Sequence, residues 1–192
     1  DAAPPPALYT PLFQKLNETG ESGIVICPSA EVSGTVRSAT VAAQEFPNAD
    51  IRVIDTHTIS TGLGSIVRQA VKWAAEGLST DELVARVENL SSRERVYFMV
   101  DTLEHLYKGG RIGGAQMLFG SILQVKPILT IKNGRIAPVE SQRTKRRALD
   151  RMKEIIEAEC PRDSEAHVTI MHGDNVDEAA VYANELKQTL GV

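Results

Sequence analysis

Two short apolar runs separated by a helix-forming segment constrain the fold of this chain more than any other feature. Residues 24–27 (Ile-Val-Ile-Cys) and 51–55 (Ile-Arg-Val-Ile-Asp) have the length and apolar content of strands, and the first is predicted to be fully buried. Between them a helical pattern rich in alanine and valine runs from Ser33 to Phe46 and ends at Pro47. Two strands joined by a helix pair in parallel, because the crossover brings the second strand back in the same direction. The first half is therefore predicted to be an α/β domain around a parallel sheet.

The second half has a different pattern. Two strand-like runs, 127–131 and 135–139, flank Asn133-Gly134, and Asn-Gly is the strongest short hairpin signal. The other predicted elements are helices at 8–16, 62–76, 79–90 (with a capping-type start at 79–82), 103–123 (interrupted by two glycine pairs), 144–157 and 177–190, and strands at 95–100 and 167–171. The change of pattern near residue 94 predicts two domains, a parallel-sheet α/β/α domain over 1–94 and a smaller α+β domain over 95–192.

Composition excludes several classes of protein. The chain has 192 residues, 42% hydrophobic and 24% charged, which are ordinary values for a globular protein. The net charge of −4 argues against a general nucleic-acid binder, and no apolar run approaches the roughly 18–20 residues of a membrane span. There is no signal-peptide or lipidation pattern, and Cys27 lies inside an apolar strand, where a reduced packing residue is expected. We therefore expect a cytoplasmic protein without stable membrane insertion.

The turn after the first strand is the most informative candidate site. It contains Ser29 and then Ser33-Gly34-Thr35, at the carboxyl end of a predicted buried strand and the start of a helix. Ligands of open α/β sheets bind at such ends, where helix N–H groups and a partial positive charge favour a carboxylate or a phosphate. Gly34 would let a ligand approach the backbone. The alternative is that Ser33 only caps its helix, as serine often does.

Basic residues form two further candidate sites. Arg111 follows Gly109-Gly110, which predicts a helix end, so its guanidinium could bind an acidic ligand or partner, or could instead pair with the helix-end carbonyls. Residues 143–147 (Arg-Thr-Lys-Arg-Arg) could bind a phosphate or an acidic partner, or could be a solvated helix face.

Catalytic and metal-binding patterns are weak. The four histidines are scattered without metal-ligand spacing, and His172 could point into a cleft or lie beside a helix start. Cys27 has no evident histidine partner, and no nucleophile-elbow motif occurs. The sequence therefore predicts no metal site, no cofactor and no catalytic centre.

Taken together, the motifs and their order resemble the DegV family of bacterial proteins. The matching pieces are Pro4-Pro5, Ser29, Ser33-Gly34-Thr35, Ile54-Asp55-Thr56, Phe98-Met99-Val100-Asp101-Thr102-Leu103, Leu106, Gly109-Gly110-Arg111-Ile112, Gly120-Ser121-Ile122-Leu123, Lys126-Pro127-Ile128-Leu129 and Arg143-Thr144-Lys145. The resemblance covers essentially the whole chain, and the block from Phe98 to Leu129 is its most specific part.

The resemblance implies a two-domain lipid carrier rather than an enzyme. A long-chain fatty acid would lie with its acyl chain in an apolar tunnel of the first domain. A separate fatty acid kinase would then receive it and make the acyl phosphate, which links the family to phospholipid metabolism. Carried over to this sequence, Ser33 would bind the carboxylate, and Ser29, Gly34 and Thr35 would shape the turn. Arg111 would lie near the pocket mouth, and the partner-facing residues would be Arg143, Lys145 and Arg146.

Three departures from the family pattern bear on this expectation. Residues 1–4 (Asp-Ala-Ala-Pro) stand where the family has Thr-Ser-Gln-Pro, whose hydroxyl also holds the carboxylate. The family's opening strand and its final His-x-Gly-Pro-Gly segment are not in this sequence, so both domains are expected to be incomplete. Two alternatives stay open: a non-binding fragment, and a small phosphotransfer subunit related to dihydroxyacetone kinase folds. The second needs a covalent histidine or a carboxylate cluster for Mg²⁺, and Asp55, Asp101 and Asp174 are far apart in sequence.

Overall fold

The computed structural model describes residues 3–118, 125–163 and 166–191. The chain forms two compact units, Asp1–Val96 with Ile131–Arg135, and Tyr97–Thr130 with Ile136–Val192. The domain boundary at residue 94 stays a prediction.

The first unit is built on a parallel strand pair. Its elements are a 3-10 turn Pro6–Leu8, α1 Thr10–Thr19, β1 Gly23–Cys27, α2 Thr35–Ala43, β2 Ile51–Asp55, α3 Ser60–Ala75 and α4 Thr80–Arg93. β1 and β2 run in parallel, with Val25 opposite Val53. The predicted strand–helix–strand arrangement is confirmed, and so is the capping start of α4, where the Ser79 hydroxyl accepts from the Glu82 N–H and the Glu82 carboxylate accepts from the Ser79 N–H.

Apolar side chains of β1 and β2 pack against helices on both faces of the pair. On the face covered by α3 and α4 a buried cluster is joined by partly buried neighbours: Ile54, Ile66, Ala70 and Val87, with Ile24, Ile26, Trp73, Val84 and Leu90. On the other side Phe13 of α1 meets Phe46 edge-on, with 6.5 Å between ring centroids. These contacts hold the carboxyl ends of both strands at one edge, where the candidate site lies.

The second unit contains an antiparallel sheet. Its elements are β3 Tyr97–Met99, α5 Glu104–Lys108, a 3-10 segment Gly113–Leu118, β4 Lys126–Lys132, β5 Arg135–Gln142, α6 Lys145–Glu159 and α7 Val176–Leu190. The strand order is β3-β4-β5. Asn133 (φ 51°) and Gly134 (φ 76°) are both left-handed, as a two-residue type I′ turn requires, which confirms the predicted hairpin. The turn residues themselves belong to the first unit.

Two predictions about elements are corrected. β1 is half-buried except for Cys27, because within the described residues β2 is its one strand neighbour and the other edge stays accessible. Residues 167–171 do not form a strand, although Val168 and Ile170 are half-buried between exposed neighbours. The alternation determines which side chains face inward. A strand also needs a neighbouring strand with which its backbone forms hydrogen bonds.

The helical segment 103–123 is interrupted as predicted, and residues 119–124 lie outside the described residues. α5 ends at Lys108 because Gly110 adopts φ 70°, with the Arg111 N–H donating to the Leu106 carbonyl at 2.9 Å and the Gly110 N–H donating to the Tyr107 carbonyl at 3.0 Å. This pair of bonds is a Schellman motif, and it confirms the predicted helix end. No helix in the described parts of the chain is long and apolar enough to cross a membrane.

Candidate functional site

The turn after β1 is held by Ser29, which is fully buried. Its N–H donates to the Thr58 carbonyl at 2.9 Å, and its Oγ donates to the Gly134 carbonyl at 2.7 Å. The same Oγ accepts from the Glu31 N–H at 3.3 Å. Because its hydroxyl both donates and accepts within the fold, Ser29 holds the turn in place, and its part in a fatty-acid site stays a prediction.

Ser33 and Thr35 form a pair of half-buried hydroxyls at the start of α2. Their oxygens are 2.8 Å apart, and Ser33 Oγ also accepts from the Thr35 N–H at 3.3 Å. The Ser33 N–H donates to the Ser29 carbonyl at 3.0 Å, which fixes the backbone of the pair. Two hydroxyls that share one hydrogen bond leave one O–H proton for a further acceptor.

Gly34, not Ser33, is the N-cap residue of α2, and it is exposed. Glycine has no side chain, and the first helical N–H, that of Thr35, donates instead to Ser33 Oγ, while the following N–H groups of the first turn have no partner within the described residues of the helix. The helix start therefore presents N–H groups and the positive end of its dipole beside the two hydroxyls. The arrangement is suited chemically to an anion with oxygen acceptors.

Asp55, at the end of β2, ties the two strand-end turns together. Its carboxylate accepts from the Ala30 N–H at 3.3 and 3.2 Å and from the His57 N–H at 2.9 Å. Thr56 adds a bond from its Oγ1 to the Cys27 carbonyl at 2.8 Å. Sequence reasoning considered Asp55 only as a metal ligand and missed this role. The available signal was that parallel strands end at one edge of a sheet.

Cys27 is fully buried and is not in a disulfide. Burial, and next the charge of Asp55, raise the pKa of the Cys27 thiol to about 11. The group therefore stays a neutral thiol near neutral pH, as a packing residue does.

An open cleft of about 370 Å³ lies beside the far end of α2. It is lined mainly by apolar groups from α2, the following turn and β2: Thr40, Ala43, Gln44, Phe46, Pro47, Ala49, Ile51 and Val53. Its volume falls within the usual range of small-molecule pockets.

Arg111 lies in the second unit and is exposed. Its guanidinium Nη1 donates to the Gly109 carbonyl at 2.7 Å, which is the helix-end contact considered as the alternative role. Its role at a pocket mouth stays a prediction.

The basic residues 143–147 surround the start of α6, also in the second unit. Thr144 caps the helix by accepting the Arg147 N–H at 3.3 Å, and Lys145 Nζ lies 2.5 Å from Glu178 Oε2. Arg143 and Arg146 are exposed. Basic side chains at a helix N-terminus oppose the helix dipole, so the charges of Arg143 and Arg146 do not stabilise α6.

The remaining candidates do not form a centre. His172 is exposed, and its Nδ1 accepts from the Asn175 N–H at 3.1 Å, next to the start of α7. Across the residues that the structure describes, no group of three or more His, Cys, Asp or Glu side chains could hold a metal ion.

A parallel strand pair with a polar turn at its carboxyl end, joined to a unit with an antiparallel sheet, places the chain in a two-unit α/β class. The chain belongs to the DegV family, whose family model, described as "Uncharacterised protein, DegV family", matches residues 2–192. A DegV domain-containing protein of Streptomyces coelicolor is 40% identical over 185 residues, covering 96% of this chain and 65% of that protein. The chain thus spans a little under two thirds of that relative.

Solved structures share the fold. A DegV family protein from Thermus thermophilus, described by its fatty acid binding, is 36% identical with a TM-score of 0.75, covering 82% of this chain and 56% of that one. DegV from Bacillus subtilis, described as a fatty acid binding protein, is 30% identical with a TM-score of 0.82, covering 98% and 67%. The α/β fold and the family predicted from the sequence are confirmed.

Proposed function

We propose that this chain binds a long-chain fatty acid, with the carboxylate at Ser33, Gly34 and Thr35. Its membership of the DegV family and the fatty acid binding of two relatives at 36% and 30% identity support the ligand class. The observation that carries the head-group site is the hydroxyl pair, since one O–H proton remains for a carboxylate oxygen. When the Thr35 hydroxyl donates to Ser33 Oγ, that free proton belongs to Ser33, which then donates to the ligand.

The acyl chain would run along α2 to the apolar cleft. α2 has nine residues, so its two ends are about 13 Å apart at a rise of 1.5 Å per residue. The helix thus separates a polar head-group turn from the cleft that Ala43, Phe46 and Val53 help to line. Burying about fifteen methylenes at roughly 0.8 kcal/mol each contributes on the order of 12 kcal/mol before ordering costs. Affinity would come from the chain and orientation from the turn.

Presentation to a fatty acid kinase is the second part of the proposal. The exposed Arg143 and Arg146, with Lys145, would contact an acidic surface of the kinase, while the chain itself performs no reaction. The charge of this segment against the dipole of α6 supports a role outside folding. We place this carrier in the cytoplasm and keep the predicted domains 1–94 and 95–192, from which the compact units differ at residues 95–96 and 131–135.

Native mass spectrometry with lipid extraction tests the ligand. The protein as purified, or after incubation with C16 and C18 acids, should carry an adduct of fatty-acid mass. Ser33→Ala should weaken binding about tenfold and so reduce the adduct at limiting fatty acid, whereas Ser38→Ala, which deletes a hydroxyl further along α2, should leave it unchanged. Thr35→Val should weaken binding less than Ser33→Ala, because Thr35 is assigned the supporting bond.

A protein that stays free of lipid after incubation would overturn the fatty-acid proposal. An adduct unaffected by Ser33→Ala would keep the ligand class and overturn the head-group site. The kinase step needs a separate measurement, ATP-dependent acyl phosphate formation with a fatty acid kinase, which Arg146→Glu should slow without reducing the lipid adduct.

A further inference from the structure

A run of hydrogen bonds leads from Glu94, at the end of α4, to the backbone of Ser33, which carries one hydroxyl of the pair at the start of α2. The Thr58 hydroxyl donates to Glu94 Oε2 at 2.7 Å, and the Thr58 carbonyl accepts from the Ser29 N–H at 2.9 Å. The Ser29 carbonyl in turn accepts from the Ser33 N–H at 3.0 Å. All of these residues belong to the first unit, and Glu94 is the only charged group in the run.

The Glu94 carboxylate lies in a space that the absence of a side chain at Gly62 leaves open. It lies against the first turn of α3, where a Cβ at Gly62 would collide with Glu94 Oε1. A carboxylate is favourable at this helix start, and the first turn of α3 has no acidic residue of its own. Burial raises the pKa of Glu94, partly offset by its bond from Thr58. Burying this carboxylate costs desolvation, which its hydrogen bond from Thr58 offsets in part, and the missing side chain at Gly62 leaves room for it.

The loop that Glu94 holds is strained. His57 (φ 53°) and Ser60 (φ 61°) are left-handed without being glycine, and they flank Thr58. Such conformations persist only where surrounding contacts over-determine them. Thr58 is 3% exposed and is anchored at its side chain by Glu94 and at its carbonyl by Ser29.

We propose that Glu94 is a positioning residue for the fatty-acid head group. It acts through Thr58 and Ser29 to hold the Ser33 hydroxyl where a carboxylate oxygen can accept from it. This role rests on the proposed function of the turn. Glu94 does not touch the ligand, so its removal affects recognition of the carboxylate and not of the acyl chain.

The experiment compares palmitic acid with hexadecanol, which has the same chain length and no carboxylate. Glu94→Leu, which removes the acceptor, and Thr58→Val, which removes the donor, should each weaken palmitic acid about tenfold, the effect of roughly one lost hydrogen bond. Hexadecanol affinity should change less than about twofold on the same reasoning. Glu94→Gln keeps an acceptor and should rescue palmitic acid binding. Glu88→Leu, at an exposed position of the same helix, is the matched control and should change neither affinity.

Amide hydrogen exchange of the ligand-free protein gives a second readout. Glu94→Leu should speed exchange at the Ser29 and Ser33 N–H groups, and Glu94→Gln should not. Unchanged exchange in Glu94→Leu, or an equal loss of affinity for both ligands, overturns the positioning role. If the unsubstituted chain binds neither ligand, the proposed function falls and the role of Glu94 falls with it. If Ser33→Ala weakens palmitic acid and Glu94→Leu does not, only the role of Glu94 falls.

Discussion

The turn at 28–35 and the basic segment at 143–147 are both polar, but they are built in opposite ways. In the turn, Ser29 is fully buried and its hydrogen bonds go to distant backbone groups, Gly134 and Thr58. In the basic segment, Arg143 and Arg146 are exposed. Their positive charges lie at the start of α6, where the positive end of the helix dipole repels them. The geometry of the turn depends on contacts across the whole first unit. The charge of the basic segment follows from its own residue types.

The difference shows how each region can recognise a partner. A turn over-determined by buried and half-buried hydrogen bonds holds one hydroxyl in one place, which suits a small head group. Exposed arginines attract an acidic surface over a longer range and tolerate movement, which suits a transient protein partner. Substitutions in the turn should therefore alter stability and ligand binding, and substitutions in the segment should alter association with a partner.

Gly134→Ala should have the largest effect on the stability of the protein. Gly134 has φ 76°, and a Cβ there would collide with Ser29 Oγ. We expect a loss of about 1–3 kcal/mol in the free energy of unfolding, measured by urea denaturation. Gly77→Ala is the matched control, because Gly77 has φ 86° but no atom within 4 Å of its Cβ. Equal losses in the two variants would mean that the contact with Ser29 contributes nothing.

Ser29→Ala and Ser33→Ala should separate stability from binding. Ser29→Ala leaves the buried Gly134 carbonyl without its donor and should cost about 1–3 kcal/mol of unfolding free energy. Ser33→Ala, at a half-buried position, should cost about 0.5 kcal/mol or less of unfolding free energy while weakening fatty-acid binding about tenfold, the effect of one lost hydrogen bond. Denaturation and palmitic acid titration of both variants check this. A larger stability loss in Ser33→Ala than in Ser29→Ala would contradict the roles assigned to the two serines.

Glu94 gives the first unit a pH dependence. Burial raises the Glu94 pKa in the folded chain above its ordinary value of 4.5, so the folded state binds this proton more tightly than the unfolded state. Its contribution to stability is fully present below about pH 4.5 and is lost as the pH rises through the folded pKa. Relative to Glu94→Gln, the unsubstituted protein should therefore lose stability between acidic and neutral pH.

Urea denaturation across that pH range checks this, with Glu88→Gln as the control for a change of one charge at an exposed position of α4. A stability difference between the unsubstituted protein and Glu94→Gln that does not vary with pH would refute it.

Arg146→Glu should change the stability least, and it should raise the stability where the glycine and serine substitutions lower it. Placing an acid in the first turn of α6 should stabilise the protein by about 0.3–1 kcal/mol, because it complements the helix dipole. Lys187→Glu, in the last turn of α7, is the matched control and should destabilise by a similar amount. Thermal unfolding at low salt measures both, and a loss of stability in Arg146→Glu would show that this arginine has a folding role.

Much of the fold could be predicted because its signals are local. The Asn133-Gly134 turn, the Ser79 capping start and the Gly110 helix end each depend on neighbouring residues. The strand expected at 167–171 was wrong, because an alternating pattern does not specify a backbone partner. In the candidate site, the serines of the turn were found from sequence, but the contributions of Asp55, Thr58 and Glu94 were missed.

The sequence by itself determined most of the order of elements, the parallel strand pair, the hairpin and the family. Only the tertiary structure decided that Ser29 is a support buried against Gly134, 105 positions away, and that Glu94 reaches Thr58 across 36 positions. Local hydrogen bonds follow from residue types a few positions apart, whereas these bonds exist only after whole elements have packed. For that reason the serines of the turn can be found from the sequence, whereas their distant partners can be found only in the folded structure.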